Sequence, residues 1–382
     1  MSWRAGAEAF AVQAGFGHRQ RTARVFHARH PVANTSPPRT LGFGIIGLGM
    51  IAEFHAQAIA QLANARLEGV ATRNPEKLRA FAQKHAVPFA TTHIDELVAR
   101  PEVDIVCITT PSGSHLEPAL AAIRAGKHLV IEKPIEITAE RTDEILRAAE
   151  AARVQIAPIF QGRFGDGARR VKAAVDAGRL GRLVLASNYV KWHRTAQYYT
   201  PPRGLYANDG GGAVINQAIH GLDLLLWFAG MPTEVFAWRT RRVHTGIEVE
   251  DTACAALKFR DGALGAFEAS TALWPGWSRR HELCGEHGSI VLEDDRIVRW
   301  EFREARPEDD AIRAGGQANA LGSGASNPSA ISVEGHRRQL QDFVDALRAG
   351  RPPALDGREG RKAVALVNAI YESAERGKPV VL

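Results

Sequence analysis

The sequence predicts an α/β chain in two ordered parts, a doubly wound parallel sheet followed by a second α/β domain built on an antiparallel sheet. Three observations carry this. From residue 41 to 159, short apolar runs alternate with stretches of helical period, the pattern of a parallel sheet covered on both faces. Beyond residue 160 the apolar positions fall to period two in longer segments separated by turn residues, as in a hairpin meander. The 382 residues fill two or three domains at roughly 150 each. With 45% apolar and 24% charged residues, the chain is neither wholly disordered, collagen-like nor a disulfide-stapled miniprotein.

Each element has its own signal. Residues 41–46, Leu-Gly-Phe-Gly-Ile-Ile, read as the first buried strand. A helix follows over 50–63, a strand over 67–71, and a helix with Asn74 as N-cap and Pro75 at its first position. Strands at 87–90, 103–109, 128–131 and 154–159, with helices at 94–99, 115–125 and 138–152, complete the first half. The second half has helices at 167–178 and 214–229. Its strands are expected at 183–191, 235–241, 252–259, 265–272, 281–285, 289–292 and 296–301, with a turn at Arg260-Asp261-Gly262-Ala263. Residues 303–330, rich in Gly, Ala, Ser, Asn and charge, read as a loop excursion before helices at 334–348 and 357–376. The expected division is a basic extension over 1–39, a first domain over 40–159 and a second over 160–382.

The net charge of +6 invites a nucleic-acid or membrane reading. Its distribution argues otherwise. Residues 1–40 hold six arginines against one acid, Glu8, so five of the six excess charges sit in a leader ending Ser36-Pro37-Pro38. That leader reads as a disordered extension or, being Arg-rich and acid-poor, as a transit peptide. No aromatic residues interleave its arginines in a recognition pattern, so no nucleic-acid partner is expected. Neither a secretory signal nor an 18-residue apolar stretch is present, so no membrane partner is expected either. Cys107, Cys254 and Cys284 match neither a zinc spacing nor a disulfide framework, which makes a reducing cytoplasm the expected setting.

Four motifs carry chemistry. The first, Gly47-Leu48-Gly49-Met50-Ile51-Ala52, follows a strand and opens a helix, the context of a dinucleotide fingerprint. Gly47 permits the tight turn, Gly49 lets the backbone approach a pyrophosphate, and the helix N-terminus at Met50 and Ile51 favours its charge. This identifies the first domain as a Rossmann sheet for NAD or NADP. No acid closes the second strand, which ends in Thr72-Arg73; these could meet an adenosine 2′-phosphate, which leans toward NADP, or Arg73 could be a solvated loop cation. The second motif, Thr109-Thr110-Pro111 with His115, lies at the carboxyl end of a strand, where an open α/β sheet receives its ligand. Thr110 and Pro111 could line the nicotinamide ribose, and His115 could join them or cap the next helix. The third, Glu132-Lys133-Pro134, again ends a strand; beside a cationic nicotinamide the Lys133 pKa should fall, which suits proton transfer. In the fourth, Gly210-Gly211-Gly212 opens a helix on which Asn216, His220, Asp223 and Trp227 fall within about 60° of one face. Asn-His-Asp at this spacing lacks a second ligand cluster, so no metal is expected.

These ordered motifs, from about Leu41 to the C terminus, resemble the glucose–fructose oxidoreductase/inositol dehydrogenase (Gfo/Idh/MocA) family. The resemblance implies a C-terminal α/β domain whose open, mainly antiparallel sheet forms homodimers or homotetramers. It implies also that Lys133 and His220 flank the nicotinamide and the reacting carbinol. Members often carry Asp where this chain has Asn216; Asn cannot accept the proton, which leaves it to orient the hydroxyl and makes His220, supported by Lys133, the expected base. Asn216-Gln217 is similar to the branch containing nucleotide-sugar 3-dehydrogenases.

A substrate wall is expected from Lys191-Trp192-His193 and the loop Tyr198-Tyr199 to Arg203, whose aromatic faces suit sugar rings while Lys191 or Arg203 suits an acidic group; the loop could instead contact another subunit. Gln161, Arg163 and Phe164 could reach the same cleft. The expected activity is NAD(P)-dependent hydride transfer to or from a secondary hydroxyl or ketone of a sugar, cyclitol or sugar derivative, a nucleotide sugar included. The alternatives are a dinucleotide-binding sensor without catalysis, and an NAD-dependent glycoside-cleaving enzyme.

Overall fold

The two periodicities become two sheets. The computed structural model describes residues 39–315, 321–325 and 332–382, so the extension expected over 1–39 lies, except for Arg39, outside the described residues. The first sheet holds β1 (Leu41–Ile46), β2 (Ala65–Ala71), β3 (Phe89–Thr91), β4 (Ile105–Ile108), β5 (His128–Ile131) and β6 (Ile156–Pro158). All its pairings are parallel, and the order is β3-β2-β1-β4-β5-β6. That order reverses between β1 and β4, and the crevice at their carboxyl ends is where an open α/β sheet takes its ligand.

Both faces of this sheet are covered, as its continuous apolar strands require. Helices Ile94–Val98, Leu116–Arg124 and Ala139–Ala152 supply one face through Leu97, Ala119, Ile123 and Ile145. The other face is covered by the helix Met50–Ile59 and by a distant one, Val333–Ala349, whose Leu340, Phe343 and Val344 join the cluster of Phe43, Ile45 and Ile59. The helix Val333–Ala349 thus packs on the first sheet across the division expected at residue 160.

The second sheet holds β7 (Leu183–Lys191), β8 (Pro232–Thr240), β9 (Thr252–Phe259), β10 (Leu264–Ser270), β11 (Arg280–Gly285), β12 (Gly288–Glu293), β13 (Arg296–Phe302) and β14 (Val380–Val381). Its order is β13-β12-β11-β7-β10-β9-β8-β14, antiparallel throughout except where β10 runs parallel to β7. One face buries Ala253, Ala255, Leu257 and Phe267 under the helices Ile219–Ala229 and Gly357–Arg376. The stretch 303–330, expected as loop, contains a helix, Pro307–Ala314. Pro307 at its first position, Glu308-Asp309-Asp310 in its first turn, and Asp309 Oδ2 accepting from the Arg306 N–H account for it. Among the described residues no helix is long and apolar enough to cross a membrane.

Candidate active site

A cleft of about 1220 Å³ runs from the carboxyl ends of β1, β2 and β4 to the helix Ile219–Ala229. It exceeds the usual ~300–1,000 Å³ of a small-ligand pocket. At its first end Gly47 has φ +94°, the left-handed region, and a Cβ there would come within 2.8 Å of the Thr110 nitrogen. A Cβ on Gly49 would meet nothing within 4 Å. The helix starting at Met50 has no side-chain cap, so its first N–H groups are open to an anion. Leu48, Met50, Ile51, Thr72, Arg73, Thr110 and Pro111 line the same space. This is a cradle that fits a dinucleotide pyrophosphate. Asn74 caps the next helix, its Oδ1 accepting from the Glu76 and Lys77 N–H groups at 3.0 Å.

His115 is buried, with Nδ1 2.9 Å from the Pro134 carbonyl and Nε2 2.9 Å from the Thr110 carbonyl. Both ring nitrogens are occupied by backbone, so its part is to tie the Thr110 and Pro134 loops together. Glu132 is buried and also committed, its Oε1 2.8 Å from His55 Nε2 and its Oε2 accepting from the Lys133 N–H. Burial acts to raise the Glu132 carboxyl, but His336 and His55 beside it hold it well below the usual carboxylate range.

At the opposite end, Lys133 donates from Nζ to the Asn216 carbonyl at 2.6 Å. Burial lowers the Lys133 pKa, with Arg194 and Arg203 adding to the fall and Glu132 opposing it. His220 also lines the cleft; burial, then Lys133 and Arg279, push its imidazole well below the ordinary range, so it is neutral and able to take a proton. The helix expected over 214–229 is in two parts, a π-helical turn over Ala213–Ala218 and an α-helix from Ile219. Widened turns of this kind recur at functional sites. Glu250 fixes its start: its carboxylate accepts from the Gly212 and Val214 N–H groups and the Tyr371 hydroxyl, each at 2.9 Å. The triple glycine is needed there, because a Cβ on Gly212 would sit 1.7 Å from the Glu250 carbonyl oxygen and one on Gly211 2.2 Å from the Tyr371 oxygen. Asn216 donates from Nδ2 to the Gly211 carbonyl and lines the cleft.

Four sequence expectations need correction. Asp223 does not join His220: it is buried against Arg163, which grips it with two bonds of 2.9 and 2.7 Å. Arg163 is therefore a core cation, also near Glu359 and Trp227, and not a substrate group. Lys191 pairs with Glu268 at 2.8 Å away from the cleft. Tyr199 is turned from it as well, its hydroxyl 2.6 Å from Thr271 Oγ1. Trp192, Gln217 and Arg203 do line the cleft, together with Arg194, Tyr198, Asn208 and Arg279, of which only Tyr198 stood in an expected segment. Strand alternation held the missing signal: along an extended run, Trp192 and Arg194 share one face while Lys191 takes the other. Arg194 donates to Gln217 Oε1 at 2.8 Å, Gln217 donates to the Tyr198 hydroxyl at 2.7 Å, and Arg203 lies 4.5 Å over the Tyr198 ring. Among the described residues no carboxylate pairs with Arg194, Arg203 or Arg279.

Residues 41–160 match the oxidoreductase family with an NAD-binding Rossmann fold, and residues 168–291 match the GFO/IDH/MocA C-terminal domain. The WlbA dehydrogenase of Bordetella pertussis, solved with NADH and UDP-GlcNAcA, superposes with a TM-score of 0.82 at 32% identity, covering 90% of this chain and 98% of that one. The WlbA dehydrogenase of Chromobacterium violaceum, solved with the same two ligands, gives a TM-score of 0.81 at 30% identity, covering 92% and 99%. Myo-inositol 2-dehydrogenase of Thermotoga maritima is 27% identical over 89% of this chain and 98% of its own length.

Proposed function

The chain belongs to the Gfo/Idh/MocA family of NAD-binding oxidoreductases, and from that premise we propose that it oxidises a secondary hydroxyl on a nucleotide-linked sugar acid. It is an NAD(P)-dependent oxidoreductase of carbohydrate-type substrates. The observation that carries the finer reading is the substrate wall. Trp192 and Tyr198 line the wall, and Arg194, Arg203 and Arg279 bring positive charge to it without a direct ion pair among the described residues, Arg194 being held in place by the His193, Gly324 and Ala325 carbonyls and Gln217. Such cations suit a carboxylate and a diphosphate. The solved relatives bound to UDP-GlcNAcA, which has that chemistry, support the same class.

The bound dinucleotide supplies the hydride acceptor at its nicotinamide. The uncapped helix at Met50 would hold its pyrophosphate, and Thr110 and Pro111 would border its ribose. His220 takes the hydroxyl proton on its imidazole as the carbinol hydrogen leaves with its electron pair. Lys133, drawn toward the Asn216 carbonyl, stabilises the oxygen as charge builds on it. Asn216 orients the hydroxyl without accepting its proton. Arg73 and Lys77 at the adenosine end allow a 2′-phosphate, so NADP is accepted beside NAD.

The second sheet turns its open face outward, with Trp238 and Leu264 exposed, and pairs there with another copy of the chain. A cytoplasmic setting fits the three free cysteines. The function is tested by titrating cofactor against a panel of UDP-sugars, UDP-sugar acids and inositols and following the absorbance of reduced nicotinamide. Turnover confined to inositols would overturn the substrate class.

A further inference from the structure

Behind the cleft, the Glu132 carboxylate lies in a cluster that its motif does not reveal. His55 comes from the helix Met50–Ile59, Glu132 from the end of β5 and His336 from the helix Val333–Ala349. Their side chains are 0%, 8% and 1% exposed. His55 Nε2 is 2.8 Å from Glu132 Oε1, His336 Nε2 is 3.4 Å from the same oxygen, and the three ligand atoms all lie within 4.8 Å of one another. Neither ring nitrogen of His336 makes a hydrogen bond, and Nδ1 of His55 makes none. Buried nitrogens without partners are costly, and a cation with an affinity for imidazole would give His336 a partner for one of its two.

We propose that His55, Glu132 and His336 form a binding site for a divalent transition-metal ion of the zinc class. Two imidazoles and one carboxylate are a zinc donor set, and the nitrogens select against calcium and magnesium. Bond lengths of about 2.0–2.2 Å put tetrahedral donors roughly 3.3–3.6 Å apart, so His55 and Glu132, now at 2.8 Å, part slightly while the more distant donors close in. Glu132 presents Oε1 while Oε2 stays with the Lys133 N–H, and Lys133 itself is directed to the Asn216 carbonyl, so no ammonium competes for the carboxylate. Glu132 and His336 border the cleft, which gives the ion its path of entry and leaves a fourth position toward solvent. The metal-free expectation weighed only ligands close in sequence, and these three lie on separate segments. The site stands on its own geometry and does not depend on the substrate assigned above.

The test is titration of the full-length protein with Zn²⁺ by calorimetry and with Co²⁺ by visible absorption, beside His336→Phe. Phenylalanine keeps the ring packing against Phe54 and His55, whose centroids are 5.9 and 5.3 Å away, and removes only the nitrogens. The wild type should take up one ion per chain, show cobalt d–d bands and melt at a higher temperature with Zn²⁺. His336→Phe should bind Zn²⁺ more than about tenfold more weakly and lose the thermal shift, since even outer-shell losses cost ~10–100-fold. Equal affinity in the two proteins, or no uptake by the wild type, overturns the proposal. If His336→Phe does not fold, His336→Gln is read by the same two criteria.

Discussion

The Lys133 ammonium sits 2.6 Å from the backbone carbonyl of Asn216. One bond therefore joins the end of β5 to the π turn that precedes His220, and Lys133 and His220 are tied to each other through it.

The cleft disfavours a charged His220, and the proposed base is therefore the neutral imidazole. Burial, Lys133 and Arg279 all oppose the imidazolium, so its pKa is depressed and the base form persists below pH 6.5. The rate of sugar oxidation should stay level as pH falls through 6.5 and drop only in more acidic buffer. A pH–rate profile with its acid limb centred at or above 6.5 would contradict the assignment. His220→Ala should cost ~10²–10⁴-fold in turnover.

The Arg203 guanidinium lies over the Tyr198 ring and makes no ion pair among the described residues, which makes it a clean probe of the substrate's charge. Arg203→Met should raise KM for an anionic sugar ~10–100-fold, the worth of a charge-assisted hydrogen bond of about 1.5–3 kcal/mol. KM for a neutral sugar alcohol should not move.

Arg73 borders the adenosine end of the cleft and has no ion-pair partner among the described residues. Arg73→Glu should weaken NADP about tenfold or more while leaving NAD nearly unchanged, measured by quenching of protein fluorescence. Equal losses for both cofactors would show that Arg73 does not meet a 2′-phosphate.

Glu250 holds the start of the catalytic helix. Glu250→Ala leaves the Gly212 and Val214 N–H groups and the Tyr371 hydroxyl without their acceptor, at about 1–3 kcal/mol for each buried group left unpaired. Turnover should fall while the Kd for NADH, set at the far end of the cleft, is kept.

Asp223→Ala tests the core. Arg163 and Asp223 are 6% and 1% exposed, and removal of the acid strands a buried guanidinium that Glu359 reaches only at 3.4 Å. Unfolding in urea should show a loss of about 3–5 kcal/mol.

The Rossmann half was legible because its signals are local: a strand, a glycine turn and an uncapped helix within a short stretch. That Lys133 and His220 line one cleft was legible for the same reason, each lying inside a motif that ends a strand or follows a glycine entry. The errors came where sequence spacing was made to stand for geometry. Asp223 falls near the His220 face of one α-helix, but Arg163, 60 residues earlier, claims its carboxylate and holds it in the core. Lys191, at the end of β7, faces Glu268, while the alternation continues past the strand and puts Trp192 and Arg194 on the cleft side. His55 and His336 lie in stretches that read only as helix, and nothing in either stretch points to Glu132.

The helix Val333–Ala349 has a consequence for synthesis. Phe43 and Phe343 share one apolar cluster, so the nucleotide-binding sheet acquires the last of its cover 300 residues after its first strand is made. At roughly 5–20 residues per second, a ribosome needs about 15–60 s to deliver it. For that interval the part of this face that the helix Met50–Ile59 leaves uncovered is apolar and exposed, and it is there that a chaperone would linger.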